Sequence, residues 1–158
     1  MTTIVANLEC MAADTRVSLD GSPYYHATKI FRIGDSLFGT AGDGMMGLIM
    51  IEWLKGPRKN RAALYKHWAD YERSCFILLE LNPTGLYLWD GWAIPEKLND
   101  TRYAVGSGAP AALGAMDNGR SPEDAVRTSI RLDQYSGDPV QVEFLLPPEL
   151  RPVTRKRR

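Results

Sequence analysis

Met1-Thr2-Thr3-Ile4-Val5-Ala6-Asn7 opens the chain, and its reading decides both the fold and the chemistry. Residues 2–7 alternate polar and apolar side chains in a β-rich run, the pattern of a half-buried strand. A small residue after Met1 permits aminopeptidase removal of the initiator. Loss of Met1 alone is expected to leave Thr2 as an N-terminal threonine. Such a residue carries a hydroxyl nucleophile together with its own α-amino base, whose pKa of about 7.7–8.0 is close enough to neutrality to accept the hydroxyl proton. The β-methyl of threonine restricts χ1 and holds the hydroxyl in fewer rotamers than serine would.

Working outward, residues 11–18 form an antiparallel partner after a short turn around Leu8 and Glu9, and Gly21-Ser22-Pro23 breaks the chain. Residues 29–33 and 37–41 make a second hairpin around Gly34-Asp35. Asp43 caps a helix over residues 44–55 that Gly56-Pro57 stops. That helix is apolar nearly all round, so it must be sandwiched inside the domain or shared with a neighbouring subunit. A second helix is expected over about residues 60–72, with Leu64, Trp68 and Tyr71 on one face. Residues 75–81 and 86–92 read as strands joined by the turn Asn82-Pro83-Thr84-Gly85. Residues 103–106 lead into a helix beginning near Ala109, and Ser121-Pro122-Glu123-Asp124 starts another with a cap, a proline in the first turn and acids at the positive end of the dipole. Residues 140–145 close as a strand. Helical pairs separated by strands, with no internal repeat, point to a layered sandwich of sheets and helices.

Composition bounds the rest. At 158 residues the chain suits one domain, long enough to bury roughly 68–70% of its unfolded surface. Its formal net charge is zero, which recommends neither a nucleic-acid nor a membrane partner. Residues 2–146 are read as the domain and 147–158 as a basic tail, extended by Pro147, Pro148 and Pro152 and ending Arg155-Lys156-Arg157-Arg158. No stretch reaches the roughly 20 apolar residues of a membrane span or reads as a signal peptide. Cys10 and Cys75 are far apart and form no metal-type cluster, so reduced thiols and a cytoplasmic location are expected. Gly106-Ser107-Gly108-Ala109-Pro110-Ala111 imitates a dinucleotide fingerprint, but Pro110 and the missing acidic ribose partner argue against it. Residues 39–44 lack the Gly-Lys-Ser/Thr ending of a P-loop, and His26 and His67 sit in no zinc spacing.

Six segments in register then carry a resemblance. Thr2-Thr3-Ile4-Val5, Met11-Ala12-Ala13-Asp14-Thr15-Arg16-Val17, Lys29-Ile30-Phe31-Arg32-Ile33, Gly39-Thr40-Ala41-Gly42-Asp43, Tyr103-Ala104-Val105-Gly106-Ser107-Gly108 and Asp133-Gln134-Tyr135-Ser136-Gly137 together resemble a proteasome β-type subunit, including the bacterial proteasome-like peptidase that works with a ring ATPase. The resemblance implies an α+β fold, a four-layer αββα sandwich of two antiparallel sheets flanked by helices, as in N-terminal nucleophile hydrolases.

It also implies site roles. Thr2 is the nucleophile, Lys29 the buried cation beside it, and Asp14 the acid that pairs with Lys29. A nearby ammonium favours ionisation of the hydroxyl and keeps the α-amine neutral and basic. Lys29 also begins an apolar strand, where an unpaired charge would be costly, so it needs a partner on physical grounds alone. Arg16 falls on the same face as Asp14 and matches another basic position. Gly39 resembles the glycine whose N–H stabilises the oxyanion, and Ser107, Asp133 and Ser136 match the polar residues around the threonine amine. Val17, Ala27, Phe31, Leu37, Ala41 and Met45 would line the pocket for the residue preceding the scissile bond. All six are apolar, so neutral or hydrophobic residues are expected there.

The implied protein is a threonine endopeptidase that needs no metal or organic cofactor. It would act on peptides or unfolded proteins, within a homo-oligomeric ring or stacked rings and with a ring ATPase as a possible activator. Two other readings remain open on the sequence: a non-catalytic ring or scaffold subunit, and a small-amide hydrolase using the same N-terminal chemistry without a ring. The helix pair over residues 44–72 is shorter than in the resembling family, and Asp138-Pro139 replaces a more glycine-rich stretch.

Overall fold

The strand read at the N-terminus is β1, Thr3–Asn7, and it lies inside a four-stranded antiparallel sheet. Its neighbours are β2, Cys10–Asp14, and β10, Arg102–Gly106, with β11, Val140–Phe144, beyond β2. The register sets Ile4 between Ala13 and Val105, and Val140 opposite Asp14. The second sheet runs in the order β5-β6-β7-β8-β9, from Ile30–Ile33, Ser36–Gly42, Phe76–Asn82, Gly85–Trp89 and Pro95–Lys97. This computed structural model describes residues 2–18, 24–57, 62, 64–65, 76–91 and 93–150.

Period-two alternation builds the layers. Ile4, Ala6, Met11 and Ala13 of the first sheet meet Ile30, Leu37, Leu79, Leu81 and Leu86 of the second in a buried cluster between the sheets. The opposite face of the first sheet, through Val5, Ala12 and Ala104, packs on Ala112 and Met116 of α2 (Ala109–Asp117) and on Ala125 and Val126 of α3 (Pro122–Leu132). The outer face of the second sheet, through Phe38, Phe76, Leu78 and Trp89, packs on Met46, Met50, Ile51 and Leu54 of α1 (Gly44–Lys55). The layers are therefore helix, sheet, sheet, helix, the αββα sandwich that the sequence pattern and resemblance led us to expect.

Capping chemistry fixes the helix starts. Asp43 Oδ1 accepts from Met46 N at 2.9 Å, and Ser121 Oγ accepts from Asp124 N at 3.2 Å. The all-round apolarity of α1 resolves into a buried stripe and an outward face on which Met45 and Leu48 stand exposed.

Two features differ from the sequence reading. The strand expected over residues 11–18 breaks at Thr15, because Thr15 changes partners: its N–H donates to Gly137 O, its carbonyl accepts from Ala27 N at 2.9 Å, and its hydroxyl donates to Pro139 O at 2.7 Å. Beyond the break, β3 (Arg16–Val17) leaves the sheet and pairs with β4 (Tyr25–His26). Edge strand β9 is too short to leave a periodic signal, and its Pro95 suits a position without a second neighbour. Of the helix expected at 60–72, residues 62, 64 and 65 are helical, while Trp68 and Tyr71 lie outside the described residues. The same holds for Cys75 and for residues 151–158 of the tail; Cys10 is buried in β2.

Candidate active site

The break at Thr15 leaves Asp14 as the last residue of β2, fully buried, and a buried carboxylate must be met by donors. Four arrive. Oδ1 accepts from Thr2 Oγ1 at 3.1 Å, Thr3 N at 2.8 Å and Lys29 Nζ at 2.9 Å, and Oδ2 accepts from Gly137 N at 3.1 Å. Lys29, one residue before β5, also donates its ammonium to Arg16 O at 2.7 Å. Burial pushes the Lys29 pKa below its ordinary 10.5, against the pull of Asp14, and the charge of Arg16 adds to the depression. Lys29 therefore gives up its proton more readily than a surface lysine. Thr2 is itself buried, with 4% of its surface exposed, so its hydroxyl is held in place rather than solvated.

A second polar chain reaches Thr2 from the helical side. Ser107, in the turn after β10, donates from Oγ to Asp133 Oδ2 at 2.8 Å and also lies 3.4 Å from Thr2 O. Ser136 Oγ donates to the same Asp133 oxygen at 2.7 Å and lies 2.7 Å from Thr3 Oγ1. Asp133 is the C-cap residue of α3, and its N–H donates to Ser129 O at 2.7 Å. Partial burial would raise its pKa, but the Ser136 and Ser107 hydroxyls and the Tyr135 amide win, holding it below the ordinary 3.8. The folded state thus keeps this carboxylate charged to lower pH than the unfolded chain does. Its stabilisation is complete above that value and is lost as pH falls through the folded pKa. Replacing Asp133 by asparagine is expected to flatten the acid side of a stability–pH curve below about pH 4, measured by thermal unfolding. An unchanged acid limb would show that Asp133 titrates alike in both states.

The sequence reading passed over two glycines that make this geometry possible. Gly106 has φ +96°, and a methyl group on it would stand 2.0 Å from Thr2 O. One on Gly108 would stand 2.0 Å from Thr3 Oγ1. What imitates a dinucleotide fingerprint is instead the place where β10 and its turn close onto Thr2 and Thr3. Gly106→Ala, strained in backbone and colliding with main chain, is expected to destabilise by about 1–3 kcal/mol or more and to displace Thr2. Chemical denaturation checks this, and a midpoint equal to the parent's would contradict it.

A cleft of about 470 Å³ opens beside Thr2, lined among others by Val17, Tyr25, Ala27, Ala41, Met45 and Leu48, with Thr40, Gly42 and Asp43 along one side. Four of the six expected pocket residues, Val17, Ala27, Ala41 and Met45, are therefore there. Phe31 and Leu37 are not. Leu37 points into the core between the sheets, and Phe31 packs on the cluster beneath α1. Tyr25 and Leu48 were missed. Arg16 does not turn toward Thr2 either: its guanidinium stacks 4.7 Å from the Tyr24 ring and donates to Gln134 O, leaving its backbone carbonyl as the group that serves Lys29.

Gly39 also falls elsewhere. It lies buried inside β6, where a methyl group would stand 2.4 Å from Ile4 Cγ2, so its absent side chain serves sheet-on-sheet packing. Direction settles the matter of its N–H. Thr40 N donates to Lys29 O at 3.1 Å, toward β5, so the amides of Gly39 and Ala41 face β7 instead. Gly42, the last residue of β6, has φ +93° and lies among the residues that line the cleft. Among the described residues no three His, Cys, Asp or Glu side chains gather as a metal site requires, and no helix is long and apolar enough to cross a membrane.

The layer order, with an N-terminal strand whose first threonine meets a buried Asp–Lys pair, defines the proteasome-like N-terminal nucleophile hydrolase fold. Among solved structures, BPH of Thiobacillus denitrificans is similar at a TM-score of 0.71 and 25% identity, over 92% of this chain and 98% of that one. The same protein in complex with epoxomicin is similar at 0.65 and 26%, over 92% and 99%. Eukaryotic HslV from Trypanosoma brucei is similar at 0.65 and 22%, over 90% and 98%. No protein-family model matches the sequence. No curated protein matches it either.

Proposed function

We propose that the chain is a threonine peptidase whose nucleophile is Thr2, exposed as the N-terminal residue by removal of Met1. The convergence of Thr2 Oγ1 and Lys29 Nζ on one buried Asp14 oxygen carries this reading. In the proposed reaction Thr2 Oγ1 attacks a peptide carbonyl while the free α-amine, directly or through a water, takes the hydroxyl proton. Lys29, held by Asp14, stabilises the developing alkoxide. The amide of Gly42, rather than that of Gly39, donates to the oxyanion; such a donor elsewhere contributes roughly 10²–10³ in rate. The amine then passes its proton to the leaving peptide nitrogen, and water hydrolyses the resulting threonyl ester. The hydroxyls of Ser107 and Ser136, oriented by Asp133, surround the amine.

Val17, Ala27, Ala41, Met45 and Leu48 give the cleft an apolar lining, and the Asp43 carboxylate is engaged in capping α1. Neutral or hydrophobic residues are therefore expected before the cleaved bond. A panel of fluorogenic peptides tests both claims: cleavage favouring leucine, tyrosine or alanine over lysine and glutamate is the expected result, and a clear preference for charged residues would overturn the pocket. Assembly into a homo-oligomeric ring is part of the proposal, supported by Met45 and Leu48, apolar yet exposed on α1 at the cleft rim. A chain that sediments as a monomer while cleaving only small amides would favour the ringless hydrolase instead.

A further inference from the structure

Lys29 is held at more points than its charge requires. Its ammonium meets Asp14 and Arg16 O, and its carbonyl accepts from Thr40 N at 3.1 Å. Its own N–H turns the other way, to a side chain of the opposite sheet. Gln141 Oε1 accepts from Lys29 N at 3.1 Å and from Ile30 N at 3.2 Å, and Gln141 Nε2 donates to Ile30 O at 2.9 Å. Among the described residues β5 is an edge strand, so the outward N–H and C=O of Ile30 meet no strand neighbour there, and the carboxamide fills that place with one acceptor and one donor. No apolar or singly functional side chain could supply both.

The origin of Gln141 gives this clamp its meaning. Gln141 lies in β11, opposite Ala13, and the residue before it, Val140, pairs with Asp14. One strand therefore fixes both members of the ion pair: Asp14 through the ladder, Lys29 through the Gln141 side chain. Further along the same edge the Arg32 guanidinium of β5 donates to Phe144 O and, at 3.3 Å, to Leu145 O, but the Gln141 carboxamide is the bridge that reaches the Lys29 backbone itself, and directional bonds resist sliding of one sheet on the other more than packing does.

We propose that Gln141 is a positioning residue, whose carboxamide sets the placement of Lys29 against Asp14 and thereby against Thr2. The catalytic half of this inference rests on the reading of Thr2 as nucleophile; the positional half does not. The charged groups facing Lys29 are Asp14 on β2, Arg16 on β3 and Asp133 at the end of α3, so a change at Gln141 acts on Lys29 against that background.

The test compares the full-length parent with Gln141→Leu, which keeps the bulk and loses all three bonds, and Gln141→Glu, which keeps both acceptor bonds and brings a negative charge. Lys29 is titrated directly by the 13Cε shift of labelled lysine, and kcat and KM are measured on a fluorogenic peptide alongside thermal unfolding. For Gln141→Leu the Lys29 titration is expected to move up toward the ordinary lysine value as its hold loosens. The kcat should fall about 10–100-fold with KM changed by less than about twofold, the scale of a misplaced catalytic group. Gln141→Glu should recover part of kcat and also raise the Lys29 titration. A Lys29 titration unmoved in both variants, or a kcat that falls only with the folded fraction, would overturn the proposal. If Lys29 moves as expected while the parent cleaves no peptide, the positioning stands and the peptidase reading fails. If the parent cleaves peptides and Gln141→Leu matches it in kcat and in titration, the reverse holds.

Discussion

Replacing Thr2 by alanine is expected to lower peptide cleavage by at least about 10³-fold while leaving the fold intact. The loss is large because the proposed reaction makes its acyl bond to that hydroxyl, and removing a nucleophile from a hydrolase leaves only the contributions of binding and oxyanion stabilisation. The fold should survive because Asp14 retains three of its four donors, from Thr3 N, Lys29 Nζ and Gly137 N, when Thr2 Oγ1 is gone. Only one side-chain hydrogen bond is removed, and a small residue remains for aminopeptidase removal of Met1. Serine in place of threonine should retain activity at a reduced level, since it keeps the hydroxyl but frees χ1. Full activity in Thr2→Ala would place the chemistry elsewhere.

Asp14→Ala should have the largest effect on stability, about 3–5 kcal/mol, because it strands a buried ammonium. Lys29 keeps Arg16 O but loses its counter-charge, and two buried amides, Thr3 N and Gly137 N, lose their acceptor. The pH dependence has a definite sign. Burial already holds the folded-state Lys29 pKa below 10.5, and removing Asp14 removes the attraction that opposes this. Between the lowered value and 10.5 the folded state then binds fewer protons than the unfolded one, so stability rises with pH in that window. Denaturant unfolding of the variant should show a deficit that shrinks as pH approaches that of an ordinary lysine. A deficit below about 1 kcal/mol at neutral pH, or one independent of pH, would mean that Lys29 finds solvent instead.

How far the chain could be read in advance follows the physics of each element. Asp43 announces α1 because a cap and a stop are local chemistry, and Gly34-Asp35 and Asn82-Pro83-Thr84-Gly85 announce their hairpins for the same reason. Asp14 and Lys29 each needed a partner because neither charge could be left alone among apolar strand residues, and it was the resemblance that paired them with one another. The positions that misled are those where strand register decides. Gly39 and Gly42 are three residues apart in one strand, and the fold alone shows that Gly39 packs against Ile4 while Gly42 lines the cleft. Phe31 lies on the face of β5 toward α1, since a strand alternates its sides at every residue, whereas Leu37 shares the inner face of β6 with Ala41 but lies four residues further from the cleft. Gly106 and Gly108 could have been recognised as close approaches, but what approaches them, Thr2 and Thr3, is about a hundred residues distant in sequence. Gln141 carried no signal, since a polar residue in an alternating strand reads as solvated surface.

The most direct test of the central claim is the intact mass of the purified protein with and without a peptide epoxyketone, which needs both the hydroxyl and the free amine of an N-terminal threonine. The account predicts a mass lacking Met1 that gains one inhibitor, with no gain in Thr2→Ala. A chain that has lost Met1 and folds, yet takes up no inhibitor, would contradict it.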